Sequence, residues 1–311
     1  MLQRQGALIA LVLLVIFGVV RYGDTFYSAY NISEMLRYNA MFGLIALGMA
    51  FVIMTGGIDL SVGKLAAMSS VVAALLSPYG VLPAIGVPVL AGVLVGLING
   101  AIITRLGIPP FIVTLAMLLA TSGVALILAN NAYVSVDSST GFIEVGKNIG
   151  GVPIPVLIML GAYLVGAIVL NYTRFGRHVL AVGGNEEAAR LMGLPVDRVK
   201  LSVYAMSGGL AGLAGVLLAT LTFSGTPNEG LGWELTAIAS VVVGGTLLTG
   251  GVGSVGTTLV GVLLLGLIFN ILNFENGQGV ISLSPYWQSV IRGAFLLVVV
   301  VLQNWLSRRQ R

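Results

Sequence analysis

The chain has no cysteine, a single histidine and very little charge. Without cysteine there can be no disulfide, no thiolate nucleophile and no zinc–cysteine site, although this does not identify a compartment. His178 is the only imidazole, so multi-histidine metal sites are excluded too. Charged residues make up 8% of the chain, against roughly 25% in a soluble domain. With 57% hydrophobic residues and a mean hydropathy of +1.03, the chain cannot cover itself with polar side chains, and lipid must be its solvent. The net charge of +4 and the pI near 9.5 then read as basic loops on the cytoplasmic side of a membrane, not as a nucleic-acid surface. No G-x-x-x-x-G-K-[ST] loop is present, so this chain is not expected to bind ATP. No nucleophile–base set and no metal site stands out, and no catalytic residue is assigned.

Glycine is what the chain has in quantity: 43 of them, beside 10 prolines, which favours close helix packing and interrupted helices. The most pointed stretch is Gly56-Gly57-Ile58-Asp59-Leu60-Ser61-Val62-Gly63. It places a carboxylate, a hydroxyl and three glycines between the apolar runs Leu44 to Met54 and Leu65 to Leu76. Glycine can break a helix and restart it, and Asp59 is expected to N-cap the helix that follows. An ionisable group this near the membrane interior points to function. A buried cap that only stabilises the helix start is the alternative.

Read in order, the chain predicts an all-α, polytopic membrane protein of about ten spans, each of about 20 mostly apolar residues. They form a single permease-like domain over residues 1–311. The first, Gly6 to Tyr22, follows Arg4 like a signal peptide but has no convincing cleavage site, so it is expected to be retained. Arg21 to Tyr38 reads as an interfacial loop or short surface helix, and the next spans are about 39–54, a third ending at Leu76, 82–104, 111–129 and 153–170. Asn130 to Val152 is the longest outer loop, and 171–200 is a charged loop on the opposite side. Further spans follow at 201–221, 233–248, 254–272 and 286–306, ahead of a basic tail.

The basic residues test this count. Arg4, Lys64, Arg105, Arg174, Arg177, Arg190, Arg198, Lys200, Arg308, Arg309 and Arg311 fall on one side, and Arg21, Arg37 and Lys147 on the other, with Arg292 inside the last span. The asymmetry predicts that both termini are cytoplasmic. Gly92, Gly96 and Gly100, like Gly208 and Gly212, clear one helix face for a close neighbour. Ala46 to Leu60 and Ala239 to Gly253 echo each other, each ending in a glycine pair and a restart. This suits repeated halves, or merely two small-residue-rich helices.

Gly251 to Gly256 fits G-x-G-x-x-G, but it lies between two membrane spans without a strand, so the match is accidental. The inner loop is more informative. From Asn185 to Pro195 it reads as a short helix with Asn185 as N-cap, Glu186 and Glu187 at the positive dipole end, Arg190 near the other end and Gly193 as terminator. Two turns alone in water are unstable, so Leu191, Met192 and Leu194 need a surface to pack on.

Several segments together resemble the permeases of bacterial ABC sugar importers, above all the branch that includes ribose, xylose and galactofuranose permeases. They are Gly56 to Gly63, the Glu187-Ala188-Ala189-x-x-x-Gly193 loop, Pro109 to Leu115, and Val243 to Thr246 with Gly250 to Gly253. The likeness runs from about residue 40 to 306, and Lys64 departs from the small residue expected after the glycine–aspartate string. The resemblance implies a multi-pass subunit of the bacterial inner membrane that forms the pathway for a pentose or hexose. It would pair with a second permease copy or a homologous permease, take sugar from an external binding protein, and couple to a separate cytoplasmic ATPase that carries ATP and magnesium. It implies that Asn185, Glu186, Glu187, Ala188, Ala189, Arg190, Gly193 and Leu194 form the coupling segment.

A sugar pathway needs hydrogen-bonding groups with few charges. Candidates are Gly56, Gly57, Asp59, Ser61 and Gly63 at the break, with Asn99, Thr114 and Asn270, and more weakly Thr121, Ser122 and Ser207. Trp233, Glu234 and Trp287 are expected near outer span ends, and Glu229 and Glu275 on outer loops that could meet the binding protein. The alternative is an ion-coupled secondary transporter, which would want mid-membrane carboxylates or histidines. Only Asp59, Glu234 and Arg292 come near that.

Overall fold

The computed structural model describes residues 2–277 together with Trp287, Val290, Ile291, Gly293, Ala294 and Leu297. Most of the last expected span, Arg292 within it and the basic tail lie outside the described residues.

The described chain is almost entirely helical: α1 (Leu2–Tyr22), α2 (Ala29–Met54), α3 (Val62–Leu76), α4 (Val81–Leu106), α5 (Pro110–Leu128), α6 (Ile154–Tyr172), α7 (Arg174–Gly184), α8 (Glu186–Leu191), α9 (Val196–Thr222), α10 (Trp233–Val243) and α11 (Val255–Gly277). Among the described residues eight helices are long and apolar enough to cross a membrane: all of these except α7, α8 and α10. Two-residue strands form two antiparallel pairs. β1 (Val134–Ser135) joins β4 (Ser224–Gly225), and β2 (Asn148–Ile149) joins β3 (Val152–Pro153).

Local chemistry explains most boundaries. Ser28 Oγ accepts the Asn31 N–H at 3.2 Å, so α2 starts ten residues earlier than the expected span at 39 and absorbs most of the presumed interfacial loop. α4 stops at Gly107, which takes a left-handed φ of 65°, and Pro110 at the first helical position opens α5.

The core is organised around α9, which packs most extensively on α4, then on α3 and α2. The α4–α9 seam is made by glycine on both sides. A side chain at Gly92 would run into the Gly208 carbonyl, and one at Gly96 into the Tyr204 carbonyl. Two backbones in such contact gain dispersion energy that no bulkier residue would allow.

Two helices begin deep inside this bundle. α2 ends at Met54, where its carbonyl accepts the Gly251 N–H at 3.0 Å, and the chain then climbs back before α3 starts. From the other face, residues 226–232 descend along α3. The Thr226 N–H donates to Ser70 Oγ at 3.2 Å, and Gly230 packs its backbone on Gly63. Only then does α10 begin. With 11 residues at about 1.5 Å each it covers about half of a hydrocarbon core.

This descent corrects three expectations. Residues 233–248 are not a full span, because α10 stops at Val243. Trp233 and Glu234 are not at an outer end: they open α10 inside the bundle, and Glu234 is buried. Lys64 is not in an inner loop but within α3, 7% exposed, with Nζ donating to the carbonyls of Asn228 and Glu229 at 3.3 and 3.0 Å. The inner segment 171–200, where the sequence placed one short helix, holds α7 and α8, and α9 already starts at Val196.

Candidate functional site

The glycine break and the short helix, far apart in sequence, meet in space. Gly56, Gly183 and Gly250 come together at the end of α2. A side chain at Gly183 would strike the Met54 carbonyl, and one at Gly250 would meet the backbone of Gly56 and Gly183. Gly56 lies just past the end of α2, Gly183 in the last turn of α7 and Gly250 between α10 and α11, so three separate segments share one junction. A cavity of about 440 Å³ lies beside it, lined by Thr55, Gly57, Pro110, Asn185, Lys200 and Tyr204 among others.

Above the junction Asp59 is fully buried. It does not sit at the N-cap position of α3, which Ser61 occupies. Instead its Oδ1 accepts both the Ser61 N–H at 3.1 Å and the Ser61 hydroxyl at 2.6 Å, and its Oδ2 accepts the Ser207 hydroxyl of α9 at 2.9 Å. The carboxylate thus ties the start of α3 to the central helix, because a buried acceptor must be satisfied by whatever donors reach it. Asn99 and Thr114, expected on a pathway, lie in this same network. Asn99 Nδ2 donates to Ser61 Oγ at 3.2 Å, and Thr114 Oγ1 reaches the Ile58 carbonyl at 3.3 Å and its own Pro110 carbonyl at 2.9 Å. Both are buried, and both brace the break.

α8 hangs from the junction. The Ala188 N–H donates to Asn185 Oδ1 at 2.9 Å, which is the N-cap the sequence predicted. At the other end the Leu194 N–H reaches the Ala189 carbonyl and the Gly193 N–H the Arg190 carbonyl, both at 3.0 Å, with Gly193 at φ 77°. This is a Schellman stop, which needs a residue without a Cβ penalty at the left-handed position. Arg190 pairs with Asp197 at 2.8 Å and Glu186 at 3.4 Å, and Lys200 pairs with Glu186 at 2.5 Å, so ion pairs join α8 to the start of α9. The Asp197 hydrogen bond, more than Glu186, holds the Arg190 guanidinium pKa above its usual value. Ala189 is buried and Leu194 packs on the core, whereas Leu191 and Met192 are 84% and 71% exposed. Glu187 is exposed and makes no side-chain bond among the described residues.

Asn270 lies elsewhere, at the opposite end of the bundle, where its amide exchanges hydrogen bonds with that of Asn31 at 2.8 and 3.3 Å. It lines a cavity of about 480 Å³ between α2, α9, α10 and α11. Sequence reasoning missed most of that wall. Asn39, Phe42, Glu229 and Trp233 come together only because residues 226–232 descend into the bundle. Among the described residues Thr121 bonds only to its own helix, at the Met117 and Leu118 carbonyls.

The comparisons with known proteins complete the geometry. A family described as the permease component of branched-chain amino acid transport systems matches residues 31–300. The chain belongs to this permease family. It is 37% identical to the ribose import permease of Escherichia coli strain K12, over 97% of this chain and 94% of that one. It is 39% identical to the ribose import permease of Bacillus subtilis strain 168, over 97% and 93%. It is 37% identical to the L-arabinose ABC transporter permease of Azospirillum brasilense, over 100% and 90%. No solved structure matches. The protein is therefore a multi-pass membrane permease, not itself an enzyme.

Proposed function

We propose that this permease is the membrane subunit of an ATP-driven sugar importer, taking a pentose or hexose from an external binding protein. The relatives named for ribose and L-arabinose import, aligned over nearly the whole chain, support the substrate class. A second permease, identical or homologous, completes the pathway. ATP and magnesium are handled by a separate cytoplasmic ATPase. The basic residues Arg174, Arg177, Arg190, Arg198 and Lys200 around α7 and α8 support a cytoplasmic face on that side. α1 and α2 are joined at the opposite side, which supports an N-terminus on the α8 side as well; a cytoplasmic C-terminus is proposed with it.

The observation that carries this reading is α8 itself. It is too short to persist alone, yet it is capped at both ends, braced by ion pairs and offers Leu191 and Met192 to an absent surface. Docked in a cleft of the ATPase, it would move with that cleft. The shared glycine junction would pass the motion to the end of α2 and to the turn between α10 and α11. The break residues Gly56, Gly57, Asp59, Ser61 and Gly63 act as the flexing part of the pathway, with Asn99 and Thr114 bracing them, and Asn270 lies on its outer part.

Purification with its separate ATPase, followed by sugar uptake into vesicles loaded with ATP, tests this. Uptake that needs ATP, the ATPase and the binding protein is expected. Uptake driven by a proton or sodium gradient without the ATPase would overturn the proposal.

A further inference from the structure

The cations around α7 and α8 fall into two groups. Arg190 is answered by Asp197 and Glu186, and Lys200 by Glu186. Arg174 and Arg177, in the first turn of α7, are exposed, and among the described residues neither bonds an acceptor. We infer that this pair binds the phosphodiester of an anionic phospholipid in the cytoplasmic leaflet, and that the bound lipid fixes the outer end of the lever that joins α8 to the bundle. The inference rests on the importer reading above, which puts α7 on the cytoplasmic side.

The position of the pair favours lipid over a protein partner. Leu157, Leu160, Leu164 and Ile168 of α6 are all exposed and follow one another at helical spacing. They end on Tyr172, which is 81% exposed, as an aromatic at the headgroup level would be. Only Thr173 separates Tyr172 from Arg174. Its Oγ1 donates to the Val169 carbonyl at 2.6 Å and accepts the Gly176 N–H at 3.2 Å, so the chain turns at once into α7. Gly176 lies so close to the Leu170 carbonyl that any side chain there would overlap it. The two arginines are thereby held beside the end of a lipid-facing stripe. Three residues apart on one helix, they share a face, and a guanidinium fork matches phosphate oxygens.

The other end of α7 gives the site its consequence. Val179 and Val182 are buried, and Gly183 packs on the Met54 carbonyl at the glycine junction, one residue before the chain reaches Gly184 and the N-cap of α8. With 11 residues α7 is a bar about 16 Å long, from the lipid edge to the junction. With the outer end fixed, a push on α8 turns the bar and reaches α2. With the outer end free, part of that push only tilts α7.

The absence of cysteine makes a direct test possible. In the complete transporter with its ATPase, Asn171→Cys, exposed in the last turn of α6, carries a small fluorophore. The complex is placed in phosphatidylcholine vesicles with about one quarter phosphatidylglycerol. Phosphatidylglycerol bearing a nitroxide should quench the label about threefold more than phosphatidylcholine bearing the same nitroxide. That preference should vanish at about 0.5 M salt and in Arg174→Gln with Arg177→Gln. The matching lysine pair, which keeps the charge without the fork, should retain a reduced preference. A label at Leu164→Cys, midway along the same stripe, should show none. ATP-driven sugar uptake by the parent should rise about threefold when phosphatidylglycerol is added, and stay flat in the glutamine pair. Arg198→Gln, which removes another exposed arginine with no bonded acceptor among the described residues, should keep both responses.

Equal quenching by the two lipids in the parent would overturn the site. Loss of both responses in Arg198→Gln would replace it by a general effect of charge. A glutamine pair that fails to assemble with the ATPase in every lipid would assign the two arginines to a protein contact instead. Selective quenching without any ATP-driven uptake would leave the lipid site standing and remove the importer reading.

Discussion

Asp59 Oδ2 accepts the Ser207 hydroxyl at 2.9 Å across 148 positions of sequence, and this bond fastens the start of α3 to the middle of α9. Replacing Asp59 by alanine strands the hydroxyls of Ser207 and Ser61 and the Ser61 N–H. A buried group left unsatisfied costs about 1–3 kcal/mol. The Asp59→Ala protein should melt at lower temperature in detergent and import more slowly, while still assembling with the ATPase. Asp59→Asn should lose less, because its oxygen can still accept one of these bonds. Normal uptake and normal melting of the alanine variant would remove Asp59 from the pathway.

Lys64 holds the descending segment through two carbonyls. Hydrogen bonds to a charged donor are worth about 1.5–3 kcal/mol each. Lys64→Met keeps the apolar stem and loses both bonds. A cysteine placed at Asn228 should then react with an external thiol reagent about ten times faster than in the parent. An unchanged rate would mean that the Gly63–Gly230 backbone contact alone keeps the segment in place.

The exposed tip of α8 should matter for coupling and not for folding. Leu191→Glu with Met192→Glu, or Glu187→Lys, should leave membrane protein levels unchanged, because all three side chains are exposed. Gly193→Val forces a β-branched residue to φ 77°, at about 1–3 kcal/mol, and should unwind the stop. In each case sugar uptake should fall about tenfold or more. Undiminished uptake in all three variants would show that α8 does not dock.

The α4–α9 seam should tolerate nothing larger than glycine. Gly96→Val drives methyls into the Tyr204 carbonyl and should cost about 1–3 kcal/mol or more. The expected readout is less folded protein extracted from the membrane. Gly123, which has open space around it, is the control, and Gly123→Ala should be neutral.

Much of this protein was determined by its sequence alone. Composition required lipid, and long apolar runs set the spans α4, α5 and α6 to within a few residues, since a helix in hydrocarbon must satisfy its own backbone. The caps of α8 were equally legible. Asn185 and Gly193 act on atoms within six residues, and short-range stereochemistry does not depend on the rest of the fold. What only the tertiary structure decided involves partners far away in the chain. Residues 226–232 are polar and glycine-bearing, as a surface loop would be. They enter the bundle because Lys64, Ser70 and Gly63 receive their backbone there. That descent turned a presumed span into a half-helix and moved Lys64 and Trp233 into the interior. It also put Asn39, Glu229 and Asn270 around one cavity, a juxtaposition that no local pattern encodes.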